Sequence, residues 1–287
     1  MIMKTGLALC LAGTLQAPAQ IAATDLENWL ARVITNVVYR PPGQAELARA
    51  EALFEHTLRG DRPEAELRNG WQELGLRLQT VSAGEESMWL VCEPQGEEFG
   101  RGWYLFRTNT ASASFAWEAP HAKNDVHTGV ISLRMFLAGD ARVLAASTIT
   151  RHRADMAHLD DTYFQAFTKA FAAVCPDGTI TQLHGFETAN HNGIGADIIA
   201  SAGTAAPEPW FKTTVDRLRE ATGLKVAAYP YDIRQLGATT NAQGKLLQKT
   251  GRCRFLHVEM TLELRERMTR DQKLRSAFLK SLDAARK

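Results

Sequence analysis

The chain is organised around the stretch Thr179-Ile-Thr-Gln-Leu-His-Gly-Phe-Glu187, which has the pattern of a β-strand. In a strand, the side chains of Ile180, Gln182 and His184 would share one face of a sheet, because successive residues point to opposite faces. Gly185 then releases the chain into a polar loop. His184 is therefore predicted to stand at the carboxyl end of a strand, and in open α/β sheets ligands bind outside that edge.

Strand and helix patterns alternate around this stretch, from residue 88 onwards. In the second half, the alternation favours a largely parallel sheet with helices on both faces. Three short β-rich runs before it, separated by turn residues, add hairpin-connected antiparallel strands. The predicted fold class is therefore α/β with a mixed, largely parallel sheet. The predicted strands are 88–92, 102–108, 114–119, 142–150, 179–184, 196–202, 224–229 and 254–260, and the predicted helices are 129–137, 160–174, 207–222 and 261–285.

A helical N-terminal lead-in is predicted for residues 20–85, before an α/β catalytic domain that spans residues 86–287. Asp25 can cap a first helix, and apolar side chains then repeat at helical spacing in one stripe over residues 47–58 and another over 67–78. Such stripes are typical of helices that pack on the main domain.

The first residues carry the pattern of a secretory signal peptide, predicted for residues 1–19. Lys4 gives a positive start, residues 6–15 form an apolar run, and Ala17-Pro18-Ala19 supplies the small residues of a cleavage site. The apolar run is shorter than the roughly 20 residues of a membrane span. We therefore expect a periplasmic or secreted protein with no stable membrane insertion after signal removal.

Composition and motifs argue against several classes of function. Lysine and arginine number 33 against 32 acidic residues, so the formal charge of +1 gives no global field that would recruit nucleic acid. The four cysteines show no close spacing, which argues against a cysteine-based zinc knuckle and a disulfide framework. The sequence contains no Gly-x-Ser-x-Gly elbow, no P-loop and no well-placed Gly-x-Gly-x-x-Gly, so α/β-hydrolase and nucleotide chemistry are poorly supported.

Ionisable side chains follow three of the predicted strands. His121 comes just past one strand and Asp125 lies four residues on, while His184 and Glu259 each end a strand of their own. Two histidines and a carboxylate can hold a zinc ion and leave one position for water. A further carboxylate can take the proton as the water attacks a carbonyl. The sequence therefore predicts a catalytic zinc site at this edge of the sheet.

Three segments carry a resemblance: Ala119-Pro-His-Ala-Lys-Asn-Asp125, Gln182-Leu-His-Gly-Phe186 and Phe255-Leu-His-Val-Glu-Met-Thr-Leu-Glu-Leu-Arg265. In order and strand context they are similar to the zinc carboxypeptidase and acylase superfamily. That group includes zinc carboxypeptidases, succinylglutamate desuccinylases, aspartoacylases, N-formylglutamate amidohydrolases and phage poly-γ-glutamate hydrolases. The resemblance is one of pattern. It implies an α/β domain that binds one zinc ion at strand ends and hydrolyses an amide bond next to a carboxylate.

Carried over by position, the resemblance implies that His121 and His184 are zinc ligands and that Glu259 is the general base. Carboxypeptidases have a glutamate three residues after the first histidine, where this chain has Asn124. Asp125 is the substitute for that glutamate, because it can fold back from the same loop and complete a set of two histidines and a carboxylate.

Two of these roles have rivals. Glu187, on the loop after His184, is the alternative carboxylate ligand. Glu263 is the alternative base, although Glu259 is preferred because it sits at the predicted strand end. Glu263 falls one turn into the following helix.

Arginine side chains beside the metal would suit a small-molecule or peptide substrate that carries a carboxylate, because a guanidinium pairs with carboxylates bidentately. Arg151 and Arg153 follow a predicted strand and are the candidates, with a solvated charged loop as the alternative interpretation. Asp155, in the same cluster, is predicted to orient an arginine or a histidine.

The polar segment of residues 239–244 has two interpretations. As a lid, it would carry Asn241 and Gln243 to the substrate. As a plain surface turn, it would have no part in the site. Asn241 is the predicted substrate-binding residue of this segment.

A second hypothesis assigns a different class of function, a secreted binding protein on a degenerate hydrolase scaffold. In it, Asn124 in place of glutamate signals a lost metal. If His121, His184 and a carboxylate oxygen converge on a common point, within the zinc-ligand range of about 2.0 to 2.2 Å, the enzyme is favoured. Divergent side chains would favour the binding protein.

Overall fold

The computed structural model describes residues 21–22, 25–29, 38–109, 113–190 and 193–283, and within them ten strands form one sheet. The predicted signal peptide lies outside these residues and stays a prediction. The strands are β1 (Ile21–Ala22), β2 (Arg77–Ala83), β3 (Glu86–Cys92), β4 (Trp103–Arg107), β5 (Ala113–Ala119), β6 (Ala141–Ala146), β7 (Thr179–Phe186), β8 (Ile198–Ser201), β9 (Val226–Ala228) and β10 (Arg254–Thr261). The helices are α1 (Gln44–Arg59), α2 (Glu64–Glu73), α3 (Thr128–Ala138), α4 (Tyr163–Val174), α5 (Pro209–Thr222), α6 (Ala242–Thr250), α7 (Leu262–Arg270) and α8 (Gln272–Asp283).

The strand order is β1-β2-β3-β4-β6-β5-β7-β10-β8-β9. The centre, β6-β5-β7-β10, is parallel throughout, and antiparallel pairings flank it on both sides. Helices cover both faces, so the predicted α/β fold with a mixed, largely parallel sheet is confirmed. Because β5, β7 and β10 run in the same direction, their carboxyl ends meet at one edge of the sheet, where such folds bind ligands.

One predicted pairing is wrong. β3 and β4 pair antiparallel as expected, but β5 does not continue this series of hairpins. It lies parallel to β6 and β7 in the centre of the sheet. A short apolar run reads the same in a hairpin and in a buried central strand, so the local pattern could not separate the two.

Two apolar cores lie against the sheet, one on each face. The first is formed with α3, α5, α7 and α8, and the second with α1, α2, α4 and α6. The alternation of β7 sends Leu183 into the first core and Ile180 into the second. His184 and Gln182 share the face of Ile180, so they lie on the side covered by α4 and α6.

The described part of the predicted lead-in contains α1 and α2, which pack on the second core. Phe54 of α1 contacts Phe167 of α4 with 5.6 Å between ring centroids. The second predicted stripe is not one helix, because Leu78 lies in β2. Gly75, with φ of +76°, allows the turn between α2 and β2.

The predicted C-terminal helix is two helices separated at Asp271. Its side chain accepts a hydrogen bond from the backbone N–H of Leu274 at 2.9 Å, which caps the start of α8. Among the described residues, no helix combines the length and the apolar character needed to cross a membrane.

Candidate metal centre

His121 lies in a tight turn directly after β5. The backbone N–H groups of Asn124 and Asp125 donate to the carbonyl of His121 at 3.0 and 2.9 Å. The turn folds Asp125 back, so its Oδ2 lies 3.4 Å from Nδ1 of His121. Asn124 instead accepts a hydrogen bond from the backbone N–H of Arg151 at 2.8 Å. Asn124 therefore ties two loops together, and Asp125 is the carboxylate at the centre.

His184 brings a second imidazole to the same carboxylate oxygen. Its Nδ1 lies 3.4 Å from Oδ2 of Asp125, and the backbone N–H of Gly185 donates to that oxygen at 3.1 Å. The rings of His121 and His184 lie nearly perpendicular, with 4.8 Å between their centroids. All three side chains are buried. One ligand atom from each of His121, Asp125 and His184 therefore lies within 4.8 Å of the other two.

The spacing of these atoms suits a bound metal better than direct hydrogen bonds. A separation of 3.4 Å is long for an N–H···O bond, and Nδ1 of His121 is buried with no hydrogen-bond partner in the described part of the chain. Two ligands about 2.1 Å from one ion at a tetrahedral angle lie roughly 3.4 Å apart. His121, Asp125 and His184 therefore form a donor set that fits a zinc ion.

A carboxylate holds the far side of the His121 ring. Nε2 of His121 lies 2.7 Å from Oδ1 of Asp155, which is the kind of contact predicted for that acid. Burial lowers the pKa of His121, but the nearby carboxylates of Asp125 and Asp155 outweigh it and raise the pKa to about 9. Burial would raise the pKa of each carboxyl group, but the histidine rings beside them hold both pKa values well below their usual range.

An amide holds the far side of the His184 ring. Nε2 of His184 lies 3.2 Å from Oε1 of Gln182, two residues earlier on the same face of β7. Burial, opposed only in part by the nearby carboxylate of Asp125, lowers the pKa of His184. This ring is therefore expected to be neutral at physiological pH, as a metal ligand must be.

Glu259 is the neighbour of His184 on the adjacent strand β10. Burial, followed by the negative charge of Asp125, raises the pKa of Glu259 to about 8. Its Oε1 lies 3.6 Å from Nε2 of His257, and its carboxylate accepts no hydrogen bond within the described part of the chain. A buried carboxyl group at a cleft with a pKa near neutrality is a candidate for proton transfer.

Neither rival residue joins the cluster of His121, Asp125 and His184. Glu187 pairs with Arg265, with 3.2 Å between Oε1 and Nη2, and its side chain is 54% exposed. Glu263 is exposed in the first turn of α7. Asp125 is therefore the carboxylate that lies beside the two histidines, and Glu259, unlike Glu263, lies on the strand next to His184.

An open cleft of about 1020 Å³ surrounds the cluster, which is large enough for a peptide-sized ligand. Arg151 lines it, with Nη2 3.8 Å from Oδ2 of Asp155. Arg153 is exposed and is not among the residues that line the cleft, so the geometry does not support its predicted role. Arg234, from the segment after β9, also lines the cleft and is exposed.

The segment predicted as a lid or a surface turn is the first turn of a buried helix. Oδ1 of Asn241 accepts from the backbone N–H of Gly244 at 2.9 Å and caps α6, while Asn241 and Gln243 are both buried. Nδ2 of Asn241 donates to Oε1 of Gln182 at 2.8 Å. Asn241 therefore lies in the floor of the cleft. A helix cap and an exposed turn use the same polar residues, so the sequence could not distinguish them.

From the sequence, no role was assigned to three residues of the site, Gln182, Arg265 and Arg234. Gln182 had a signal, a polar residue two positions before His184 on the same strand face. Arg265 is buried against Gly185, where an added Cβ would come 2.4 Å from Cζ of the arginine. Arg234 had no local signal, because only the tertiary fold brings its loop to the cleft.

No family model matches the chain, and no curated protein matches it either. Among solved structures, the chain is similar to a poly-γ-glutamate hydrolase of a bacteriophage, at 11% identity over 60% of this chain and 82% of that one, with a TM-score of 0.35. It is also similar to a metallo-carboxypeptidase from Burkholderia cenocepacia, at 13% identity over 73% of this chain and 77% of that one, with a TM-score of 0.42.

A third similar structure is a succinylglutamate desuccinylase from Chromobacterium violaceum, at 11% identity over 80% of this chain and 72% of that one, with a TM-score of 0.42. At such identities and TM-scores, the likenesses do not by themselves say what this protein does.

Proposed function

We propose that this protein is a zinc-dependent hydrolase of amide bonds whose substrate carries a carboxylate. The observation that supports it is the approach of one carboxylate oxygen of Asp125 to Nδ1 of both His121 and His184, at 3.4 Å each. This is about the spacing of two tetrahedral zinc ligands. We also propose, from the pattern of residues 1–19, that the protein is exported.

His121, His184 and Asp125 would hold the ion through the two Nδ1 atoms and Oδ2. Zinc with an open position supplies Lewis acidity, which lowers the pKa of water to about 7 and polarises a carbonyl. The raised pKa of His121 means that this ring gives up a proton when it becomes a ligand.

Glu259 is assigned the role of general base. Its carboxylate takes a proton from the attacking water and returns it to the amide nitrogen as the C–N bond breaks, so the products are a carboxylic acid and an amine. A pKa of about 8 suits both steps near neutral pH, because the group can accept and release a proton there.

Arg151 and Arg234 are the candidates for binding the substrate carboxylate. Both line the cleft and are exposed, so a carboxylate can reach either guanidinium group. Substrates with an acidic or free C-terminal end are therefore expected to be preferred over their amidated forms.

Metal analysis of the purified protein tests the ligand set. We expect about one equivalent of zinc in the wild type and in His152→Ala, a histidine of the same cleft. His184→Ala should lose the metal. A wild type with less than about a tenth of an equivalent after zinc loading, and an activity unchanged in His184→Ala, would overturn the proposal.

Substrate hydrolysis tests the base. Acidic peptides, N-acyl amino acids and poly-γ-glutamate form the panel, and Glu259→Gln should keep its zinc while kcat falls by about 10²- to 10⁴-fold. Glu263→Gln is the control and should keep both. Loss of zinc in Glu259→Gln would make Glu259 a ligand and would contradict its assigned role.

A further inference from the structure

A row of buried polar side chains crosses the sheet directly beneath the candidate metal centre. Glu118 on β5, Gln182 on β7 and His257 on β10 are neighbours in register, and all three are buried. One row further from the cleft, the same face carries Ile180 and Phe255. Buried polar groups are costly unless they are hydrogen-bonded, so a polar row at this depth needs an explanation.

One side of the row is anchored by a backbone carbonyl. Nε2 of Gln243 donates to the carbonyl of Met156 at 3.0 Å, and a carbonyl can only accept. Gln243 must therefore turn its Oε1 to Gln182, whose Nε2 donates to it at 3.0 Å. The same Nε2 donates to Oε2 of Glu118 at 2.7 Å. Both N–H groups of the Gln182 amide are used on this side.

The other side is anchored by a backbone N–H. Oδ1 of Asn241 must accept from the N–H of Gly244, so Nδ2 of Asn241 faces Oε1 of Gln182. Both anchors demand the same orientation of the Gln182 amide. Its nitrogen points to Glu118 and Gln243, and its oxygen points to Asn241.

That orientation decides which nitrogen of His184 carries the proton. Oε1 of Gln182 has a second lone pair, and it lies 3.2 Å from Nε2 of His184. Because an amide oxygen can only accept, this contact places the hydrogen of the neutral ring on Nε2 and the lone pair on Nδ1. The competing acceptor, Oδ2 of Asp125, lies 3.4 Å from Nδ1, which is long for a hydrogen bond.

We propose that Gln182 is a positioning residue that sets the tautomer of His184, and that the Met156 carbonyl and the Gly244 N–H dictate its orientation. The lone pair of Nδ1 is thereby directed at the point where the three ligands converge. The inference rests on the proposed function only in naming zinc as the ion that uses this lone pair. Substitution of a residue that orients a ligating histidine typically lowers metal affinity by about 10- to 100-fold.

The test is Gln182→Met, which keeps roughly the length of the side chain and removes the acceptor. In metal-free protein labelled with nitrogen-15 at histidine, NMR distinguishes a protonated ring nitrogen from one with a lone pair. Wild-type His184 should be protonated at Nε2. In Gln182→Met, the tautomer protonated at Nδ1 should appear, and the Kd for zinc should rise by about 10- to 100-fold.

Gln165→Met is the matched control. Gln165 is buried in the same cluster, where it accepts from Gln243 and donates to the carbonyl of Ala242, while the hydrogen bonds of Gln182 go to Glu118, Gln243, Asn241 and His184. Its tautomer spectrum should match the wild type, and the Kd for zinc should change by less than about twofold.

Asn241→Asp is a second variant, which carries the test if Gln182→Met does not fold. The new carboxylate can still cap α6, but it presents an oxygen to Oε1 of Gln182 in place of a donor. The Gln182 amide is then driven to rotate, and the Nδ1-protonated tautomer of His184 should increase.

Wild-type His184 protonated at Nδ1, or a tautomer that is unchanged in both Gln182→Met and Asn241→Asp, overturns the proposal. An equal loss of zinc affinity in Gln165→Met and Gln182→Met, without a change of tautomer, also overturns it. If the tautomer shifts in the variants but the wild type binds no zinc, the positioning role of Gln182 is supported. The proposed function is then overturned.

Discussion

The two histidines of the candidate metal centre face the same carboxylate oxygen but are held from behind by different chemistry. Behind His121 stands Asp155, a partly exposed carboxylate whose Oδ1 is 2.7 Å from Nε2. Behind His184 stands Gln182, a buried and neutral amide whose Oε1 is 3.2 Å from Nε2. Each partner is an oxygen that accepts a hydrogen bond, so each leaves Nδ1 directed at Asp125.

The orientation of a histidine ring and its pKa are therefore set separately at the two histidines. Asp155 orients His121 and, together with Asp125, raises the pKa of that ring to about 9. Gln182 orients His184 without adding charge, and burial lowers the pKa of that ring. A ligand with a high pKa holds a proton that the metal must displace, so His121 should dominate the pH dependence of zinc binding.

Removing the carboxylate that both histidines share should have the largest effect. In Asp125→Asn the anionic ligand is lost, and zinc affinity, measured by competition with a chelator, should fall by at least about 100-fold. Glu187→Gln removes the rival carboxylate and should leave the affinity unchanged. The opposite pattern would assign the ligand to Glu187.

The pH dependence of zinc binding should be the next largest effect. Because the pKa of His121 is raised to about 9, its ring is protonated below that pH in the metal-free protein. Zinc affinity should therefore rise with pH, by about tenfold per unit, until that pKa is reached. Calorimetry in two buffers of different ionisation enthalpy should count about one released proton at neutral pH. Binding without proton release would mean that His121 is already neutral.

Asp155→Asn should have a smaller effect, because it keeps an acceptor oxygen behind His121 and removes only the charge. The pKa of His121, followed by NMR, should move down from about 9 towards its usual value of 6.5. Zinc affinity should change by less than about tenfold, since weaker proton competition offsets the weaker ligand. Asp160→Asn, in an exposed neighbouring position, is the control. An unmoved pKa in Asp155→Asn would break the contrast between the two histidines.

Glu118→Gln should have the smallest effect on zinc affinity, because Glu118 contacts His184 only through Gln182. Its main effect should be on the free energy of unfolding. Burial, opposed by hydrogen bonds from Gln182 and Thr168, raises the pKa of Glu118 from 4.5 to about 7. With the folded pKa above the unfolded one, the contribution of Glu118 to stability is fully present below pH 4.5 and is lost as the pH rises to about 7.

The wild type should therefore lose up to about 3 kcal/mol of unfolding free energy over that range relative to Glu118→Gln. Denaturant unfolding of both proteins at the two ends of the range measures the difference. Zinc affinity should change by less than about twofold. Parallel pH profiles in the two proteins would show that Glu118 is not protonated in the folded state.

Local pattern was enough for much of the fold and for part of the site. The alternation of residues 179–187 placed His184 at a strand end, and short apolar runs located most of the strands. The same kind of pattern failed for the partners of β5 and for the segment around Asn241. A strand does not state its neighbours, and a helix cap uses the residues of a turn.

By itself, the sequence determined that two histidines and a carboxylate follow strands of an α/β sheet, because strand periodicity is a local property of the chain. The tertiary structure places Asp125, and not Glu187, between the imidazoles, and it places Glu259 beside His184. It also places Oε1 of Gln182 within hydrogen-bond distance of Nε2 of His184. These relations depend on strand register and on loops that meet across the sheet, and such contacts between distant residues leave no periodic signal in the sequence.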